Sequence, residues 1–208
     1  NADGSLQGYE PSTTTAQSDS SGKKSKKEKK STPKTIALTF DDGPHQTCTP
    51  ALLNGLKQRE IKATFFLMGE NIAGKEPLVQ RMQAEGHLIG NHTFHHVQLT
   101  KVSEEEAREE VVKTSNAIYE ITGEYPVYIR PPFGEWREGL DLAVTMIPVL
   151  WDVDSRDWES QNTASICSAV LPNVKDGSII LMHDGYRATV EALRRIVKEL
   201  KEEGYTFV

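Results

Sequence analysis

From Thr35 onward, short apolar runs alternate with amphipathic stretches of helical period. Thr35–Phe40 (TIALTF), Ala63–Met68, His87–Asn91, Val127–Arg130, Pro148–Asp152, Ser178–His183 and Tyr205–Val208 have strand length and are bounded by turn-forming or polar residues. Between them the spacing predicts helices over Ala51–Arg59, Glu76–Glu85, Ser103–Ile121, Thr163–Val174 and Ala188–Glu203. Thr49 reads as an N-cap with Pro50 in the first helical position. Ser103 and Glu106 form a capping-box pattern, and Gly86 and Gly123 stand where left-handed stops belong. Pro172 weakens the last turn of its helix.

Repeating strand-then-helix order implies parallel strands joined by crossovers. With about seven such units, a closed or nearly closed barrel is favoured over an open sheet. The expected fold is therefore α/β, a (β/α) barrel of about seven parallel strands, closed or nearly so, in a single domain over residues 34–208.

Residues 1–33 break this pattern. They carry almost no apolar side chains and run from the Ser/Thr-rich Ser12–Ser21 into the lysine block Lys23–Lys30. Such a segment cannot bury enough surface to offset its ordering entropy, so it reads as a disordered tail or linker. The net charge of −6 is uneven: residues 1–34 hold seven Lys against four acids, the rest 17 Lys+Arg against 26 Asp+Glu. An acidic domain argues against nucleic acid as a partner. The lysine block is suited to an anionic wall or membrane surface, and equally to a solvated spacer. Two cysteines, Cys48 and Cys167, make neither a disulfide framework nor a zinc motif, and Cys167 reads as a small core residue. No apolar run reaches transmembrane length. The chain starts at Asn1, so any signal or anchor is expected upstream of it.

Polar clusters sit at the predicted strand ends, where catalytic groups gather in parallel β/α arrays. Asp41-Asp42-Gly43-Pro44 presents two carboxylates on a sharp turn; alone it is equally an ordinary Asp-Gly turn. His92 and His96 are four apart and share a metal if the backbone coils, though spacing alone leaves His95 as an alternative ligand. An Asp with two His and an open position suits zinc or a similar divalent ion. His45 reads as a surface residue and His87 as a strand start. Arg130-Pro131-Pro132-Phe133-Gly134 is a stiff loop fit to hold a side chain or a backbone N–H in place. Asp154, Asp157 and Trp158 follow another strand, and His183-Asp184-Gly185 a further one. Each is weak singly; together on one rim they read as a metal-assisted hydrolase.

Five stretches in order, Thr39–Pro44 (TFDDGP), His92–His96 (HTFHH), Arg130–Gly134 (RPPFG), Asp154–Trp158 (DSRDW) and Leu181–His183 (LMH), resemble the motifs of the polysaccharide deacetylases. That family has the NodB-homology fold and forms carbohydrate esterase family 4. The resemblance runs from about Thr35 to Val208. Gly90–His92, Leu150–Trp158 and Ile180–Asp184 most resemble peptidoglycan N-acetylglucosamine deacetylases. By this resemblance Asp42, His92 and His96 hold one divalent metal, zinc first and cobalt, nickel or manganese as alternatives. Asp41 is implied as general base, oriented by Arg130, and His183 as general acid, partnered by Asp157. The backbone N–H of Phe133, where tyrosine is usual, is implied in the oxyanion hole, and Trp158 and Leu181 as walls of the acetyl pocket. The implied reaction is removal of N-acetyl groups from a polysaccharide, peptidoglycan or chitooligosaccharide, by a monomer at the cell surface or outside the cell. An O-acetyl xylan esterase with the same site, a non-catalytic sugar-binding relative and a wall-interaction protein led by its tail are the competing expectations.

Overall fold

The computed structural model describes residues 33–136, 138–140 and 145–208. The expected tail and its lysine block lie outside them, Pro33 aside.

β1 (Lys34–Gly43) organises the sheet because both of its faces are covered: Ile36, Leu38 and Phe40 are buried on one side, Thr39 and Asp41 on the other. The chain continues through α1 (Cys48–Lys57), β2 (Thr64–Leu67), α2 (Glu76–Ala84), β3 (Leu88–Asn91), α3 (Glu104–Thr122), β4 (Tyr128–Ile129), β5 (Ile147–Pro148), β6 (Val153–Asp154), α4 (Asp157–Ser160), α5 (Thr163–Val170), β7 (Ile179–His183), α6 (Arg187–Glu202) and β8 (Tyr205–Phe207). All strand pairs are parallel. Seven strands follow the order β5-β4-β3-β2-β1-β7-β6, and β8 pairs with the start of β1. The sheet is a curled half-barrel: among the described residues β5 and β6 end the path and do not pair with each other. The seven-strand parallel barrel expected from the sequence is thus present in distorted form, without closure.

The main core lies between the outer face of the sheet and α1, α2, α5 and α6, joining Leu38 and Phe40 to Leu52, Leu56, Ile166 and Ile196. A smaller cluster of Leu99, Ala107, Val111 and Ile129 sits under α3. Ser103 caps α3, its hydroxyl accepting from the N–H of Glu106, and Gly123 ends it at φ 72°.

Two local expectations are corrected. α1 begins at Cys48, not Ala51, and its first turn is capped by the His45 ring, whose Nδ1 accepts from the N–H groups of Thr47 and Cys48. Thr49 is inside the helix, its hydroxyl accepting from His45 N–H and donating to Asp184. The expected strand Pro148–Asp152 is instead two short strands, β5 and β6, separated by unladdered backbone. The weak last turn expected at Pro172 is present as such: the helix ends at Val170 and a 3₁₀ turn follows at Leu171–Asn173.

Candidate active site

Strand register gathers the polar clusters. Asp41 at the end of β1 pairs with His183 of β7 and lies beside Phe66 of β2. Leu67 pairs with Asn91, and Asn91 with Ile129, so the residues that follow, His92 and Arg130, emerge at one level. Asp154 of β6 pairs with Leu181. The result is a cleft of about 410 Å³ lined by Asp41, Asp42, His92, His96, Pro131, Phe133, Trp151, Asp154, Trp158, Leu181 and His183. Its size is that of a small-molecule site.

Asp42, His92 and His96 place one ligand atom each within 4.8 Å of one another. Asp42 Oδ1 lies 3.3 Å from His92 Nε2 and 3.6 Å from His96 Nε2. Both Asp42 and His96 take positive φ, 70° and 57°, which turns their side chains inward. His92 Nδ1 donates to the Arg130 carbonyl at 2.6 Å, so Nε2 is the ring nitrogen left facing Asp42. Asp42 Oδ1 is buried and has no hydrogen-bond partner among the described residues. A buried carboxylate oxygen facing two imidazole nitrogens is a fit for a divalent cation. Burial works against a charged His92, but Asp41 and Asp42 outweigh it and raise its pKa; a point that favours positive charge favours a cation too. His95 is not part of this group: its Nδ1 turns away to Glu110 at 2.6 Å.

On one side stands Asp41, 3 % exposed. Arg130, fully buried, donates through Nη1 to Asp41 Oδ1 at 2.8 Å and to Thr39 Oγ1 at 2.6 Å. Its Nε and Nη2 donate to the carbonyls of Val149 and Leu150, in the gap between β5 and β6. The guanidinium also stacks 4.3 Å from the Phe66 ring. That ring fills the space beside Gly90, where a side chain would collide with it. Arg130 therefore fixes one oxygen of Asp41 and leaves the other, Oδ2, facing His92 at 3.8 Å.

On the other side, His183 Nδ1 donates to Asp157 Oδ1 at 2.7 Å, and His183 Nε2 lies 4.0 Å from Asp42 Oδ2. Asp157 is fully buried; its oxygens also receive the N–H groups of His183 and Trp158 and the hydroxyl of Thr189. Burial alone would lower the pKa of His183, but the bond to Asp157 and the surrounding carboxylates push it up to about 9. Burial likewise opposes the Asp157 carboxylate, and His183 outweighs it, so its pKa is lowered.

Phe133 sits at φ 62° on the cleft rim, 63 % exposed, its ring 4.8 Å from that of His96. Trp158 is half-exposed and Leu181 buried at the cleft wall. Of the ten residues implied by the resemblance, eight line this cleft, and Arg130 and Asp157 lie buried behind it, bonded to Asp41 and His183. Sequence reasoning missed the supports: Thr39; Asn71, whose Nδ2 donates to the Asp42 carbonyl; Asn91, which donates to Val111 O and Ser115; and Thr189. Thr39 and Asn91 carried a signal, as residues inside the stretches Thr39–Pro44 and Gly90–His92; Asn71 and Thr189 carried none.

The profile of the polysaccharide deacetylase family matches residues 28–146. The chain is 43% identical over 180 residues to a peptidoglycan-N-acetylglucosamine deacetylase of Bacillus cereus, covering 83% of this chain and 66% of that one. It is 39% identical over 180 residues to the peptidoglycan-N-acetylglucosamine deacetylase PgdA of Listeria monocytogenes, covering 86% of this chain and 39% of that protein. The chain thus spans about two fifths of the length of that relative. The structure of peptidoglycan deacetylase PdaC from Bacillus subtilis superposes with a TM-score of 0.81 at 39% identity, covering 85% of this chain and 87% of that one.

Proposed function

The chain belongs to the polysaccharide deacetylase family, and from that premise we propose that it is a metal-dependent hydrolase that removes N-acetyl groups from N-acetylglucosamine residues of peptidoglycan. The carrying observation is the bracketing of Asp42, His92 and His96 by two groups each held by a buried partner, Asp41 by Arg130 and His183 by Asp157. Two imidazoles and a carboxylate favour zinc among divalent ions. An ion held by these three residues would supply Lewis-acid polarisation of a water and of the acetyl carbonyl.

The protein's own groups do the rest. Asp41, with one oxygen tied to Arg130, takes the proton of the attacking water on the other. The backbone N–H of Phe133, on the cleft rim, is the donor this reading assigns to the charge that develops on the carbonyl oxygen. His183, kept protonated by Asp157, delivers its proton to the leaving nitrogen as the C–N bond breaks. A new C–O bond forms from the water, and the products are acetate and a free amino sugar. Trp158 and Leu181 wall a space for the methyl group, and the exposed Trp158 and Phe133 rings offer faces for sugar.

Such a substrate implies action outside the membrane, at the cell surface. Among the described residues no helix is long and apolar enough to cross a membrane. Attraction of Lys23–Lys30 to anionic wall polymer belongs to the same reading. The test is mass spectrometry of peptidoglycan fragments, N-acetylglucosamine oligomers and acetylated xylan after incubation with zinc-loaded protein. Acetyl loss from the first two is expected. Acetate from xylan alone would overturn the reading.

A further inference from the structure

The segment joining His92 to His96 is held in a conformation that its residues disfavour. Thr93 and His96, neither a glycine, take φ 63° and 57°. Such a path persists only where its surroundings over-determine it. Its carbonyls are tied to the turn after β2, where Gly69 N–H and Glu70 N–H donate to Thr93 O and Phe94 O. Its N–H groups are tied elsewhere. Those of Phe94 and His95 both donate to Glu110 Oε2, at 2.9 and 2.7 Å, and His95 Nδ1 meets Glu110 Oε1 at 2.6 Å. Glu110 lies in the second turn of α3 and is only 7 % exposed.

We propose that Glu110 is a positioning residue of the metal centre: its carboxylate clamps residues 94 and 95 and thereby sets His96 opposite Asp42. This rests on the reading of Asp42, His92 and His96 as the metal triad. Glu110 reaches none of the three; it acts through the backbone that carries His96. It is also not needed merely to dock α3. That helix is capped at both ends by Ser103 and Gly123, buries Ala107, Val111 and Ile118, and is bonded by Asn91 to Val111 O and Ser115. Loss of the carboxylate should therefore loosen the segment before it loosens the fold. Groups that orient ligands from outside typically set metal affinity by about 10–100-fold.

The experiment is calorimetric titration of Zn²⁺ alone into wild type and the Glu110→Ala, Glu110→Asp and Glu110→Gln variants, with thermal melting of each in chelator. Glu110→Ala is expected to weaken zinc binding by about 10–100-fold while still melting cooperatively. Glu110→Gln should restore affinity to within a few-fold, because its amide oxygen still receives both N–H groups. Glu110→Asp, one methylene short, should fall between. If Glu110→Ala does not fold, Glu110→Asp decides, by weakened binding at a near-native melting temperature. A folded Glu110→Ala or Glu110→Asp variant that binds zinc like wild type overturns the clamp while leaving the triad standing. A wild type that takes up no zinc overturns the triad, and the clamp with it.

Discussion

Asp157→Asn isolates what the partner carboxylate does for His183. The imidazole is raised to about 9 from an ordinary 6.5, a difference of about 3 kcal/mol in favour of the charged form. Asparagine keeps the shape but not the charge. It also meets four donors that suited a carboxylate: His183 Nδ1 and Trp158 N–H on one oxygen, His183 N–H and Thr189 Oγ1 on the other. Whichever way the amide turns, its NH₂ faces a backbone N–H, which costs about 1–3 kcal/mol. Because His183 is raised in the folded state, its contribution to stability is complete below about pH 6.5 and is lost as pH rises through about 9. The stability gap between wild type and variant should therefore narrow from pH 6 to pH 9.5 in urea unfolding. Histidine NMR on chelator-treated protein gives the direct reading. His183 should titrate near 9 in wild type and fall toward 6.5 in the variant. At pH 7.5 the protonated fraction would then drop about tenfold, with a matching loss in amide turnover. A variant in which His183 still titrates near 9, or a wild type titrating near 6.5, would refute the reasoning.

His87 should behave in the opposite sense: burial, reinforced by Lys62, lowers it to about 4, so stability present above pH 6.5 is lost as pH falls toward 4, by about 3 kcal/mol. Urea midpoints across that window check this, and His87→Gln should flatten the slope. Zinc at about a hundred times its dissociation constant should stabilise the fold by about 2.7 kcal/mol, seen as a rise in melting temperature that excess chelator reverses. Gly43→Ala would put a Cβ 2.7 Å from Asp184 Cγ and should cost about 1–3 kcal/mol, with part of the loss recovered in the double variant with Asp184→Ala.

The strands and the clusters at their ends were legible because each is local: an apolar run, then a turn-forming polar group. What was not legible depends on partners far along the chain. Thr49 looks like a cap, but its hydroxyl goes to Asp184, 135 residues away. Pro148–Asp152 has strand composition, yet the carbonyls of Val149 and Leu150 are taken by Arg130, so the ladder breaks and the barrel stays open. The inward turn of Asp42, His96 and Phe133 rests on positive φ at residues that do not advertise it. The candidate metal ligands were therefore readable from spacing only up to the choice between His95 and His96. In the structure His95 is drawn aside to Glu110, and His96 stands with Asp42 and His92.

The pairing of β8 with the start of β1 puts the last strand beside the first, with Lys34 level with Tyr205 and Ile36 with Phe207. Both ends of this unit lie at the foot of the sheet, while Asp41 and His183 stand at its top. The order in which the elements are threaded is thus separable from the chemistry. A circular permutant that joins Val208 to Lys34 through a linker of about five residues, with new ends opened in an exposed turn such as Gly74–Lys75, should fold to the same cleft. It would free the catalytic unit to be inserted into a loop of another protein rather than appended to its end.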